Sequence, residues 1–317
     1  MDEMPIRRNI TTDEMRDNLI FVLTVYIPLD LVIIVGNALV LFVIRQTSRS
    51  FEEPQFVLLG SLAFVDLLTG IIAVPMFMWA CISRRSLYLQ NNCHLQYIPT
   101  KVFIAVSWFH LLLITMDRYV SIIKPLHYYK HITLHRIYFS IALSWIMGIF
   151  YGTMEVFWKV DKIEGIFFCY QISRRAIEVQ RYVTLVLVAI GTILLMILYF
   201  RIVVEARKHE KNIICIPVST RKIVRKRSKA AKTSALVICA FGITFFPHAL
   251  QPVVYLLVHQ QSDMYWYVLI AELLVNLSSA VNPFIYVWRL QPFSRALRRL
   301  VNKSPITATL STTETCL

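Results

Sequence analysis

Several charged residues of this chain lie inside long apolar stretches, among them Asp30, Asp66, Asp117, Glu272, Lys101 and Arg118. A charge inside a membrane is costly unless it pairs or faces a polar cavity, so each is a functional candidate. Polar company stands nearby in Asn37, Ser107, His248, Asn276, Ser278, Ser279 and Asn282. Such a set suits ion pairing, cation binding by hard oxygens, or capture of a polar ligand. It does not suit hydrolysis: there is no Gly-x-Ser-x-Gly elbow and no catalytic pair of spanning aspartates, so no enzyme is expected. His127, His131 and His135 recur every four residues, a zinc spacing if one helix carries all three. No cysteine or carboxylate shell accompanies them, which disfavours a metal.

The elements that position these groups follow from composition. The chain has 317 residues, 57% apolar and 16% charged, with a mean hydropathy of +0.58. Soluble domains run at about 45–50% apolar and about 25% charged. A soluble enzyme, a disordered chain and a disulfide scaffold are therefore excluded. Crossing a membrane takes roughly 20 apolar residues. Seven stretches qualify: Leu19–Ile44, Phe56–Cys81, Ile98–Ile123, Arg136–Trp158, Arg181–Val204, Lys232–Val258 and Tyr265–Trp288. None shows the alternation of a barrel strand. The fold class is an all-α membrane protein, a seven-helix bundle. No internal repeat is visible, which disfavours an inverted-repeat transporter.

The formal charge of +14 is bunched in the loops. With the N-terminus outside, 21 Lys and Arg lie on the inner side and 10 on the outer, against 5 and 10 acids. Basic loops stay in the cytoplasm. The expected topology is thus N-terminus extracellular and C-terminus inside, in the plasma membrane, with no role in nucleic-acid binding. Three regions follow: an outer tail over 1–18, the bundle over 19–301 and an inner tail over 302–317. The first 18 residues hold no apolar h-region, so the first span is expected to act as the insertion signal. Asn9-Ile10-Thr11 is a glycosylation sequon on the outer side.

Local patterns then narrow the class. The first span carries Gly36-Asn37, the second Leu62-Ala63-Phe64-Val65-Asp66, and the third ends in Asp117-Arg118-Tyr119 before Pro125-Leu126-His127-Tyr128. The fourth has Trp145, the sixth Phe241 and Pro247, and the seventh Asn282-Pro283-Phe284-Ile285-Tyr286. A short basic amphipathic stretch, Phe293 through Leu300, follows. This ordered set resembles the rhodopsin-like (class A) G-protein-coupled receptors, over about residues 19 to 301.

The resemblance implies a short eighth helix at that basic stretch. It implies an inner switch of Asp117, Arg118 and Tyr119, with Asn282, Pro283 and Tyr286 as its seventh-helix counterpart. Proline removes a backbone hydrogen bond and allows a kink there. Asp66 with Ser107, Ser279 and Asn282 resembles the family's sodium site; the plainer reading is a hydrogen-bonded structural carboxylate. No other cofactor is implied. The family pattern also pairs Cys93 with Cys169 in a disulfide on the outer side, with Cys81 as a rival. Implied partners are an extracellular ligand, a heterotrimeric G-protein and arrestin.

Some positions depart from the pattern. Phe245 replaces the usual sixth-helix tryptophan, and Gly191 replaces the usual fifth-helix proline, leaving a bulge there open. The base of the sixth helix reads Arg225-Lys226-Arg227-Ser228-Lys229, where an acid is common. The amine receptors keep an aspartate 18 residues before the switch arginine, and here that place is Thr100. An amine held by that contact is therefore not expected. The seventh span has no lysine, so retinal linkage is excluded.

Lys101, His248, Gln251 and Glu272 then line the outer pocket and suit a polar small molecule or a peptide. Lys101 and Glu272 either pair with each other or clamp the ligand, and His248 is a pocket group or a core histidine. The alternative function is a transporter or channel that uses the intramembrane charges. Two further partners are expected: anionic membrane lipid at the basic inner loops, and a PDZ scaffold at Thr315-Cys316-Leu317.

Overall fold

The computed structural model describes residues 19–46, 54–82, 98–124, 127–154, 159–162, 170–172, 174–211, 235–251, 253–254, 261–289 and 294. Seven long helices fall within them: α1 Leu19–Gln46, α2 Pro54–Trp79, α3 Ile98–Ile123, α4 Leu134–Thr153, α5 Arg174–Lys211, α6 Ala235–Ala249 and α7 Gln261–Arg289. Six contain a stretch long and apolar enough to cross a membrane, while the described part of α6 is shorter. Helices win here because lipid offers no partner for an open backbone N–H or C=O. A hairpin of β1 (Lys159–Lys162) and β2 (Tyr170–Ile172) pairs antiparallel between α4 and α5.

α3 reproduces its sequence bounds, and the others differ at their ends. α4 starts at Leu134 because Thr133 caps it, its side chain accepting from the Arg136 backbone N–H at 3.4 Å. It ends at Thr153, short of the expected Trp158. α5 overruns its apolar part at both ends, since only Tyr182–Glu205 is apolar enough to span. α1 and α2 each contain a π-helical turn, Val22–Tyr26 and Thr69–Ala73.

The helices sort into interior and rim. In the most apolar stretch, 61% of α7 and 50% of α3 is buried inside the bundle, against 11% of α5. α3 packs against α2, α4 and α5, and α1 packs against α2 and α7. The inner half of the core joins Val40 and Val43 of α1, Leu58 and Leu62 of α2, Leu111 and Ile114 of α3, Val237 of α6 and Tyr286 of α7. Lipid is as apolar as these side chains, so close fit and hydrogen bonds, rather than escape from water, hold the helices together.

Two glycines show that fit. A Cβ on Gly36 would lie 3.0 Å from Pro283 Cγ, so α1 and α7 meet backbone to proline ring. A Cβ on Gly191 would fall 1.8 Å from Trp108 Cζ2, inside the indole. Gly191 is thus the seat for an α3 tryptophan. The bulge left open at this position does not occur: α5 is helical from end to end.

The three histidines at fourfold spacing do not share a helix. His127 precedes the single turn Tyr128–His131, the chain then breaks at Ile132 and Thr133, and His135 belongs to α4. No group of three metal-binding side chains occurs among the described residues. Apart from Ser294, the stretch expected to form an eighth helix lies outside the described residues, as do Asn9, Cys93, Cys169 and both tails.

Candidate functional site

At the inner end, α3 buries Asp117 and Arg118 together, 1% and 5% exposed. Arg118 Nε donates to Asp117 Oδ2 at 2.8 Å, and Nη2 donates to the same oxygen. The other carboxylate oxygen accepts from the Tyr128 hydroxyl at 2.6 Å. Tyr128 sits on the one-turn helix after α3, so a side chain of the inner loop closes over the pair. Burial, then the Asp117 carboxylate, pushes the Tyr128 hydroxyl pKa above its ordinary 10.0. Tyr119 is half-buried and packs on Ile122 and Ile202, which joins this end to α5. Losing one member of such a buried charged pair typically costs about 3–5 kcal/mol.

Halfway along the bundle stands Asp66, 1% exposed. Ser279 donates its hydroxyl to Oδ1 at 2.7 Å, and Asn282 donates Nδ2 to Oδ2 at 2.8 Å. Ser107 is buried on α3. A hard cation takes oxygen ligands. Asp66 and Ser279 bring such oxygens together, while Asn282 presents an N–H to the carboxylate. Asn37 reinforces the level above, donating Nδ2 to the Ser279 carbonyl at 3.1 Å and to Ile33 O at 2.9 Å. Pro283 and Tyr286 are buried one and four residues after Asn282, between α7 and the α1–α2 core.

In the outer half, Glu272 is 5% exposed. Its Oε1 lies 3.1 Å from His248 Nδ1. Gln251 Nε2 lies 3.2 Å from the same nitrogen. One imidazole nitrogen serves one role at a time. It donates to the carboxylate when it carries the proton, and accepts from the amide when the proton is on Nε2. Glu272 Oε2 has no hydrogen-bond partner among the described residues. Lys101 is half-buried on α3, and Thr100 beside it is buried. Behind His248 lies Phe245, with ring centroids 5.6 Å apart, itself stacked on Phe241 at 5.1 Å.

Three levels of polar residues thus run through one interior. The resemblance implied a group of Asp66, Ser107, Ser279 and Asn282, and hydrogen bonds join Asp66 to Ser279 and Asn282. Pairing of Glu272 with His248 was not legible, because the sequence offered Lys101 as the partner of Glu272 and left His248 as a separate pocket or core group.

Other contacts went unread. Ser61 bonds His110 Nε2 at 2.7 Å, while His110 Nδ1 meets Val106 O at 2.8 Å. That backbone contact needs an N–H at Nδ1, and in a neutral ring Nε2 then accepts from the serine, which ties α2 to α3. A histidine in a spanning segment was the available signal. Tyr267 donates its hydroxyl to the carbonyl of Pro247 and so ties α7 to α6.

Residues 36–286 match the family described as the 7 transmembrane receptor (rhodopsin family). The chain belongs to that family. It is a multi-pass membrane receptor, not an enzyme, and the family signals from an extracellular ligand to a G-protein. Similar curated proteins include trace amine-associated receptor 9 of Mus musculus, 26% identical over 299 residues, covering 89% of this chain and 85% of the relative. Trace amine-associated receptor 7d of Mus musculus is 24% identical over 292 residues, covering 88% and 81%. Trace amine-associated receptor 9 of Homo sapiens is 26% identical over 294 residues, covering 88% and 83%. Those names run against the expectation, drawn from Thr100, that an amine is not the ligand. That expectation has no support from the relatives.

Proposed function

We propose that this chain is a plasma-membrane receptor with its N-terminus outside. A polar extracellular ligand enters the pocket of Lys101, His248, Gln251 and Glu272, and the inner end then opens to a heterotrimeric G-protein. A small molecule or a peptide fits that pocket chemistry, and the relatives' names put amines among the small molecules. Asp117, Arg118 and Tyr119 form the inner switch, and Asn282, Pro283 and Tyr286 let α7 change shape. A ligand drives this by binding one of two helix arrangements more tightly than the other.

The observation that carries the reading is the buried Asp117–Arg118 pair under Tyr128 at the inner end. A guanidinium held by a neighbouring carboxylate is available to a partner once the pair opens. A transporter path would have no use for a cation locked at the membrane edge. The test is G-protein nucleotide exchange in membranes. Arg118→Gln should abolish exchange at equal surface expression, and retention of full exchange would refute the switch.

The finer parts of the reading rest on chemistry. A sodium ion is held by Asp66, Ser107 and Ser279, with Asn282 orienting the acid. It would supply a charge that favours the resting arrangement. A Cys93–Cys169 disulfide ties the second outer loop, and Asn9 carries a glycan. Phosphorylated Ser311, Thr312 and Thr313 recruit arrestin. The basic inner loops meet anionic lipid, and the C-terminal Leu317 carboxylate meets a PDZ domain.

A further inference from the structure

A carboxylate inside a bundle must be answered by a cation or by hydrogen bonds on both oxygens. Glu272 is answered on one only. Its side chain is 7% exposed, Oε1 faces His248 at 3.1 Å, and Oε2 has no hydrogen-bond partner among the described residues. We propose that Glu272, on α7, is the counter-ion for the protonated amine of an aryl-alkyl amine ligand. The proposal deepens the outer-pocket reading above and rests on it.

Three features select this ligand chemistry. The first is charge. A protonated amine brings the formal positive charge and the N–H donors that the open oxygen lacks. The second is the dual setting of His248. Its Nδ1 lies between Glu272 Oε1 and Gln251 Nε2 at 3.1 and 3.2 Å. Nδ1 donates to Oε1 in one tautomer and accepts from Gln251 in the other, so neither tautomer occupies Oε2. The open oxygen is thus available to an ammonium while His248 keeps a partner at Nδ1. The third is the wall behind the histidine. Phe245 stands 5.6 Å from the His248 ring and stacks on Phe241 with 18° between planes. Together with Ile104, Val188 and Val275 it forms an apolar surface shared by α3, α5 and α7. An aryl group packs on such a face, and aromatic rings also attract an ammonium.

Thr100 is the neutral, buried residue where the amine receptors keep an aspartate. The ligand's charge is therefore met from α7 and not from α3. Side-chain chemistry makes the same recognition from the other side of the pocket.

The test uses the full-length receptor with phenethylamine and phenylpropylamine, against phenethyl alcohol and phenylpropyl alcohol. Two readouts are taken: melting temperature in detergent, which reports binding, and nucleotide exchange in membranes, which reports coupling. Both amines should raise the melting temperature and neither alcohol should. Glu272→Gln should raise the half-saturating amine concentration about 100-fold or more. Glu272→Asp keeps the charge one methylene back and should cost about tenfold, with amines still preferred. The proposal is overturned if neither amine stabilises the receptor, if the alcohols do so equally, or if Glu272→Gln binds amines as tightly as the parent. Amines that bind through Glu272 without altering exchange would uphold this site and sink the signalling reading instead. Exchange that depends on Arg118 but ignores both amines would do the reverse.

Discussion

Tyr128 turns a two-residue pair into a closed unit at the inner end. Its hydroxyl donates to Asp117 at 2.6 Å while Arg118 holds the other oxygen. A hydrogen bond to a charged group typically contributes about 1.5–3 kcal/mol. Tyr128→Phe removes that donor and keeps the ring, so the melting temperature in detergent should fall by several degrees. The pH dependence has a definite sign. The pKa of Tyr128 is raised above 10.0 on folding, so its contribution is fully present below that value and fades only as pH climbs past it. The gap between parent and variant should therefore be equal at roughly pH 6 and pH 9. A gap that closes between those two values would show that another group sets it. None of this was legible in the sequence. Asp117 and Arg118 stand out because charges are rare in spans, whereas a tyrosine in a loop is ordinary until the fold brings it over an acid 11 residues away.

At the scale of the elements, hydropathy located all seven helices because lipid forces length and apolarity on each. It missed the ends, where caps and helix overruns decide, as at Thr133 of α4 and across α5. It also missed the seams, which depend on shape. Gly191 is the clearest case, a glycine where the family usually has a proline, and Trp108 is seated on it. Gly191→Ala sets a methyl carbon inside the indole, and overpacking of this kind costs about 1–3 kcal/mol. We expect a lower melting temperature for Gly191→Ala, largely restored by adding Trp108→Leu. Strictly additive losses in the double variant would mean that the two helices do not meet through this pair. The outer hairpin carries the second element-scale expectation. Cys169 immediately precedes β2, so a bridge to Cys93 would tether that strand to the start of α3. Such bridges contribute about 2–4 kcal/mol. Peptide mapping without reduction should find Cys93 joined to Cys169, and recovery of a Cys93–Cys81 peptide would remove the tether from the outer loop.

For the molecule as a whole, the question is how far the resting bundle already leans toward signalling. Among the described residues, Asp117 is the acid that holds Arg118. Receptors of this family often add a second acid at the base of the sixth helix. Here that segment, which lies outside the described residues, reads Arg225-Lys226-Arg227-Ser228-Lys229. If that segment stands where the family keeps its acid, like charges would repel Arg118 instead of holding it, within a Debye length of about 8 Å. If the absent pair is worth about 1 kcal/mol, the active fraction at rest rises roughly fivefold. Phe245 stacks on Phe241 and lacks the indole N–H that a tryptophan would offer, a change with no fixed sign in this balance. We expect measurable nucleotide exchange without ligand, and a fall in that exchange for Arg227→Glu at equal surface expression. The swap supplies the missing acid without touching the outer pocket, so amine binding should keep its half-saturating concentration to within that same shift in resting equilibrium. A parent with background exchange, or an Arg227→Glu variant with unchanged exchange, would mean that Asp117 and Tyr128 suffice to hold Arg118 closed.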